Sequence, residues 1–143
     1  MSEFDILNGP HINALEPRVI AKLKTRYLYP PLTRELSYNL TDDTILDPSM
    51  GQSQIIRLLF TYLPSDQNGF FIECGALDGE LRSNTLYFER NKKWSGLLIE
   101  ADPANFDSLL MKRRKCWMSN SCMSTKSYPM MVIRQKSYIR IPY

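Results

Sequence analysis

The sequence predicts an α/β fold built on a small parallel sheet, and three observations lead there. Two short apolar runs, Phe70-Phe71-Ile72 and Leu97-Leu98-Ile99, are each closed by a carboxylate, Glu73 and Glu100. A loop bearing two glycines, Gly75-Ala76-Leu77-Asp78-Gly79, follows the first run, and a segment carrying Leu86, Tyr87 and Phe88 leads to the second. Continuous apolar runs bounded by turn residues read as parallel strands buried on both faces. Gly69 to Asp102 is therefore strand, loop, helix and strand, one βαβ unit whose crossover is expected to be right-handed.

Before this unit, residues 1–46 are weakly patterned. Asn8-Gly9-Pro10 and Tyr29-Pro30-Pro31 break regular structure. Glu16 to Arg26 fits a helix, with Pro17 in its first turn and Val19, Ile20 and Leu23 on a partial apolar face. A surface arm packed loosely on the domain is the expectation. Asn39-Leu40-Thr41 is a glycosylation sequon, meaningful only in a secretory lumen. The domain proper starts at Asp47-Pro48-Ser49, where Asp47 or Ser49 caps a helix through about Leu63. Its stripe of Ile55, Ile56, Leu58, Leu59 and Tyr62 is broad enough to bury against a sheet, and Pro64-Ser65-Asp66 ends it.

Within the unit, Ser83 or Asn84 caps a helix running to about Asn91, and Trp94-Ser95-Gly96 turns the chain into the second strand. Asp102-Pro103 is a strong helix start, with Asp102 as cap and Pro103 where a missing N–H costs nothing. That helix carries Phe106, Leu109 and Leu110 into Lys112-Arg113-Arg114-Lys115, cations that suit a helix C-terminus. Cys116 to Ser124 reads as a third strand with Asn120 near its end. Beyond it, residues 125–143 form a basic tail whose one alternating stretch is Lys136 to Ile141.

Several function classes are excluded or weakened. The chain has 143 residues, one domain's length, and no run approaches the roughly 18 apolar residues of a membrane-spanning helix. Met1 to Pro10 is acidic without an apolar run, so no signal peptide is expected there. The three cysteines, Cys74, Cys116 and Cys122, lack zinc-knuckle spacing, and Cys74 and Cys122 read as buried small apolar residues. His11 is the single histidine and lies in the arm, which argues against Ser-His-Asp and Cys-His hydrolases and against a histidine-rich metal site. Charge divides unevenly: residues 1–107 carry −5 and residues 108–143 carry +8. Such a basic third suits anionic lipid head groups, and no RNA-binding motif accompanies it, so a membrane is preferred over nucleic acid.

The acids and glycines point to a ligand. Glu100 lies 21 positions after Gly79, near the roughly 20-residue offset at which an acid meets a ribose in nucleotide-binding βαβ units. Neither G-x-G-x-x-G nor G-x-x-x-x-G-K-[ST] is present, so no pyrophosphate cradle is expected. A nucleoside without phosphates fits best, S-adenosylmethionine first. Methyl transfer from it needs positioning and sometimes a base. Asp78 and Asp102 lie at strand tips but read more simply as a loop residue and a cap, so no catalytic residue is assigned.

The blocks FFIECGALDGE, SNTLYFE and WSGLLIEADPANF, with DPSMGQ before and KRRKCWMSNSCMS after, resemble the FkbM-type methyltransferase domain in its Star-like version. The resemblance covers about residues 47–124. It implies a Rossmann-like S-adenosylmethionine-dependent methyltransferase fold, here with three parallel strands of a larger doubly wound sheet, as in a truncated or alternatively spliced product. The cofactor-binding residues it implies are Glu73, Gly75, Ala76, Asp78, Gly79, Ser83, Asn84, Glu100, Ala101 and Asn120. For Star-like proteins it further implies vesicle-mediated movement of membrane-anchored growth-factor precursors, ligands of the EGF receptor, through endoplasmic reticulum, Golgi and endosome. The alternatives are an S-adenosylmethionine-dependent O-methyltransferase, or an inactive fragment of one.

Overall fold

The computed structural model describes residues 13, 15–61 and 68–123. His11, Tyr62 to Asp66, Ser124 and the tail 125–143 lie outside the described residues. The elements in chain order are α1 (Pro17–Lys22) with a π-helical turn (Leu23–Tyr27), β1 (Leu28–Tyr29), α2 (Gln52–Phe60) and β2 (Phe70–Cys74). They continue with α3 (Leu86–Lys92), β3 (Ser95–Ile99), α4 (Pro103–Met111) and β4 (Trp117–Ser119). The four-stranded sheet has the order β1-β4-β3-β2.

The βαβ unit forms as read. β2 and β3 run parallel, with Phe70 beside Ser95 and Cys74 beside Ile99. β4 continues the parallel set, with Leu98 beside Met118. Ser95 and Gly96, expected in the turn, belong to β3 because they pair with Phe70 and Phe71. The third strand is shorter than expected, Trp117–Ser119.

The expectation of strands buried on both faces is corrected. Phe71, Leu98 and Met118 share a core with Phe88 of α3 and with Phe106 and Leu109 of α4, so both crossover helices cover the same face. On the opposite face Phe70 is 59% exposed, Ile72 60% and Trp117 40%. Ile72, Leu97 and Trp117 are register neighbours, so they make one row across that open face. Cys74, expected to be buried, is exposed there with its Sγ 3.4 Å from Met123 Sδ. Cys122 is also exposed, and only Cys116 is buried.

α2 packs by a narrower stripe than its sequence offers. Ile56 and Phe60 reach the core, Phe60 edge-on to Trp94 at 4.9 Å, whereas Ile55, Leu58 and Leu59 are each at least 60% exposed. A rim helix meets its neighbour along one i, i+4 row, which leaves the flanking apolar positions outside. Its first turn is held by Ser49, whose Oγ accepts from Ser53 N at 2.9 Å and donates to Asp47 Oδ1 at 2.5 Å.

Within residues 28–45 the arm is tied to the sheet and the helices. Leu28 and Tyr29 pair antiparallel with Ser119 and Met118, covering the edge of β4, and the Tyr29 ring meets Phe106 at 5.1 Å. Further along, Asn39 N donates to Lys112 O at 3.1 Å and its Nδ2 to Met111 O at 3.0 Å. The sequon nitrogen is therefore engaged with the end of α4. Arg90 donates to the carbonyls of Asp43 and Ile45 at 2.9 and 3.1 Å. The physical cause is a free strand edge beside a helix end, both rich in unsatisfied carbonyls and amides.

Candidate functional site

The site builds from the carboxyl ends of β2 and β3. Chain direction in a parallel sheet brings Glu73 and Glu100 to the same edge, and Gly75 N and Ala76 N both donate to Ile99 O, at 2.9 and 3.1 Å. These bonds fasten the start of the glycine loop across the end of β3.

Glu73 organises the approach to α3. Its Oε1 accepts from Asn84 N at 2.8 Å, and its Oε2 accepts from Ser83 Oγ at 2.9 Å and from Thr85 Oγ1. Ser83, expected as a cap, is buried and its Oγ accepts from Leu86 N at 3.2 Å. Asn84 presents a different feature: its Oδ1 is buried without a hydrogen-bond partner.

Glu100 is 6% exposed, and both its oxygens hold backbone. Oε2 accepts from Leu77 N at 2.7 Å and Oε1 from Asp102 N at 2.8 Å. The carboxylate thereby clamps the glycine loop to the start of α4, with one backbone N–H on each oxygen. Asn120 Nδ2 donates to Glu100 O at 2.9 Å and to Ala101 O at 3.5 Å, so it joins the ends of β3 and β4. Glu73, Gly75, Asn84, Glu100, Ala101 and Asn120 are brought together at this edge.

The two glycines differ in what requires them. Gly75 has φ +71°, and a Cβ there would meet nothing within 4 Å, so the backbone faces open space. Gly79 has φ +79°, and its Cβ would stand 2.3 Å from Leu109 Cδ1. It is α4, not a ligand, that approaches Gly79. Ala76 likewise belongs to the core at 2% exposure. Asp78 closes the loop on itself, its Oδ1 accepting from Glu80 N at 3.0 Å and Leu81 N at 2.7 Å. Asp102 caps α4, accepting from Ala104 N and Asn105 N at 2.9 and 3.0 Å.

The comparisons with family models, curated proteins and solved structures gave a plain result. Nothing matches this chain.

Beneath the loop lies a charged network that the sequence reading missed. Arg114 has no exposed surface. Its Nε meets Glu89 at 3.1 Å to both carboxylate oxygens, while its terminal nitrogens reach Gly79 O, Ser83 Oγ at 3.3 Å and Thr85 Oγ1 at 3.3 Å. Glu89 Oε1 also accepts from Lys115 N at 2.7 Å. Burial pushes the Glu89 carboxyl up, but the Arg114 charge and these hydrogen bonds outweigh it and hold the group below its ordinary range. The same burial, with Glu89 beside it, pushes the Cys116 thiol and the Tyr38 hydroxyl up. A lone acid at position 89, three after Leu86 on the inward side of a helix, was the available signal, because a buried carboxylate requires a cationic partner.

Three of the four cations in Lys112-Arg113-Arg114-Lys115 therefore face inward. Lys112 Nζ contacts Glu80 Oε2 at 2.5 Å and Thr41 Oγ1 at 2.6 Å, and Lys115 Nζ lies 5.0 Å over the Tyr38 ring. Of these four cations Arg113 is the one left on the surface. Among the described residues no group of His, Cys, Asp and Glu is placed to hold a metal, and no helix is long and apolar enough to cross a membrane.

Proposed function

We propose that this chain carries the glycine-loop portion of an FkbM-type methyltransferase-like domain of the Star-like kind, and that it works by binding a protein. On this reading the partner is a membrane-anchored growth-factor precursor, an EGF-receptor ligand in its uncleaved form. The setting is vesicle-mediated transport through endoplasmic reticulum, Golgi and endosome.

What supports the family reading is that the resembling blocks fall on β2, the glycine loop, α3 and β3, with Glu73 and Glu100 at the carboxyl edge of a parallel pair. The observation that carries a binding role over methyl transfer is the state of Glu100: buried, with one backbone N–H on each oxygen. The two acids at the strand tips are committed as well, Asp78 to its own turn and Asp102 to the cap of α4. The test is co-expression with a membrane-anchored EGF-receptor ligand precursor. The expected result is co-precipitation of the two and a change in precursor movement from endoplasmic reticulum to Golgi. Normal movement with no co-precipitation would overturn the reading.

A second reading, an S-adenosylmethionine-dependent O-methyltransferase, is favoured by the open space at Gly75 and the unpartnered Oδ1 of Asn84. The cofactor would supply a sulfonium-activated methyl group. Gly75 would let it approach the backbone, and Asn84 would offer it an acceptor. Titration with the cofactor separates the two readings.

A further inference from the structure

A second concave site lies away from the glycine loop, between α2 and α3. It is a cavity of about 460 Å³, within the roughly 300–1,000 Å³ of small-molecule pockets. Arg57 and Lys92 stand on its wall with Gln54 and Thr61, Phe60 and Tyr87 supply aromatic surface, and among the described residues no acidic side chain lines it.

Arg57 is set up for an anion. Its guanidinium carbon lies 3.9 Å from the centroid of the Tyr87 ring, so one flat face is covered by the aromatic face. A guanidinium held that way keeps its N–H edge for an acceptor in its own plane, the geometry of paired hydrogen bonds to carboxylate or phosphate. Among the described residues Arg57 pairs with Asp47, whose Oδ2 is 3.9 Å from Nη1, beyond hydrogen-bond reach. That oxygen has no hydrogen-bond partner of its own. The ion pair is long, and the fork of Arg57 is not closed by it.

We infer that the α2–α3 cavity binds a small organic anion, a carboxylate or phosphate monoester on an aromatic or aliphatic body, with Arg57 holding the charged group. The apolar body would lie against Phe60 and Tyr87. The site is independent of the glycine loop, because no loop residue lines it.

The test is an amide chemical-shift titration with phenyl phosphate and with phenylacetate. Inorganic phosphate and benzyl alcohol serve as the charge-only and body-only controls. The expected result is saturable binding of at least one aromatic anion with Kd below about 1 mM, with shifts centred on residues 54–61 and 87–92. Each control should bind at least about tenfold more weakly. Arg57→Leu should weaken the anion by about tenfold or more, whereas Arg113→Ala, a surface cation elsewhere, should leave it unchanged. Thermal melts of each variant establish that it is folded. Absence of saturation by either anion, or equal affinity in folded Arg57→Leu, would overturn the proposal. Preference for phenyl phosphate over phenylacetate, or the reverse, identifies which anion the fork takes.

Discussion

Arg114 reaches Glu89, Gly79, Ser83 and Thr85 from a position with no exposed surface, so the loop, the start of α3 and its inner face share one guanidinium. Removing one partner of such a pair leaves a buried charge alone, which costs about 3–5 kcal/mol, whereas replacing both with apolar groups is often close to neutral. Arg114→Ala is accordingly expected to lose about that much in urea denaturation, and Arg114→Met with Glu89→Leu to recover most of it. A cost under about 1 kcal/mol for the single variant would mean that the pair does not carry the loop. The glycines give a second residue-scale contrast. An alanine at Gly75 meets only the strain of positive φ, about 1–2 kcal/mol, because the space around it is open. An alanine at Gly79 adds a clash with Leu109, and its loss of stability is expected to be the larger in the same assay.

At the scale of elements, Glu80 fastens the arm to the helix ends. Its two oxygens accept from Thr41 N and Asp42 N at 2.8 and 3.0 Å, and Lys112 stands against it. Burial opposes the charge, but Lys112 and the two N–H donors hold the carboxyl at about 2, below its ordinary 4.5. A depressed carboxylate stabilises above its unfolded value, and that contribution is lost as the pH falls through the folded one. Stability should therefore be level down to about pH 4.5 and then decline towards pH 2, with Glu80→Gln removing roughly 2 kcal/mol of the difference. Equal acid limbs for both proteins in pH-dependent melts would contradict this. The elements themselves divide by legibility. Asp102-Pro103 announced α4 because the cap acts within three residues, and the apolar runs announced β2 and β3. β1 left no such trace, since two residues, Leu28 and Tyr29, pair with Ser119 and Met118 far along the chain. The inward turn of Lys112, Arg114 and Lys115 was hidden likewise, because a run of four cations reads locally as a solvated helix end. At the candidate site the glycines and acids were visible, but Glu100's use by Leu77 N and Asp102 N depends on loop geometry that spacing does not encode.

At the scale of the molecule, the sheet has among the described residues one covered face and one open face, and its energetics follow that division. Leu98 is fully buried, so Leu98→Ala is expected to cost about 2–5 kcal/mol. Ile72, in the next register position of the open face and 60% exposed, should tolerate Ser within about 0.5 kcal/mol. Comparable losses at both positions would show that the open face is covered in solution. Among the described residues that open face and the free edge of β2 are where a protein partner would meet an apolar surface, which accords with a role in binding. At the carboxyl edge, Glu73, Glu100 and Asn120 are hydrogen-bonded within the chain itself. Calorimetric titration of the purified chain with S-adenosylmethionine tests this contrast most directly. The account predicts no saturable heat below about 100 µM, with Glu100→Gln reducing thermal stability instead of affinity. Binding in the ~1–10 µM range that Gly75→Val abolishes in a folded protein would contradict it and establish a working cofactor site.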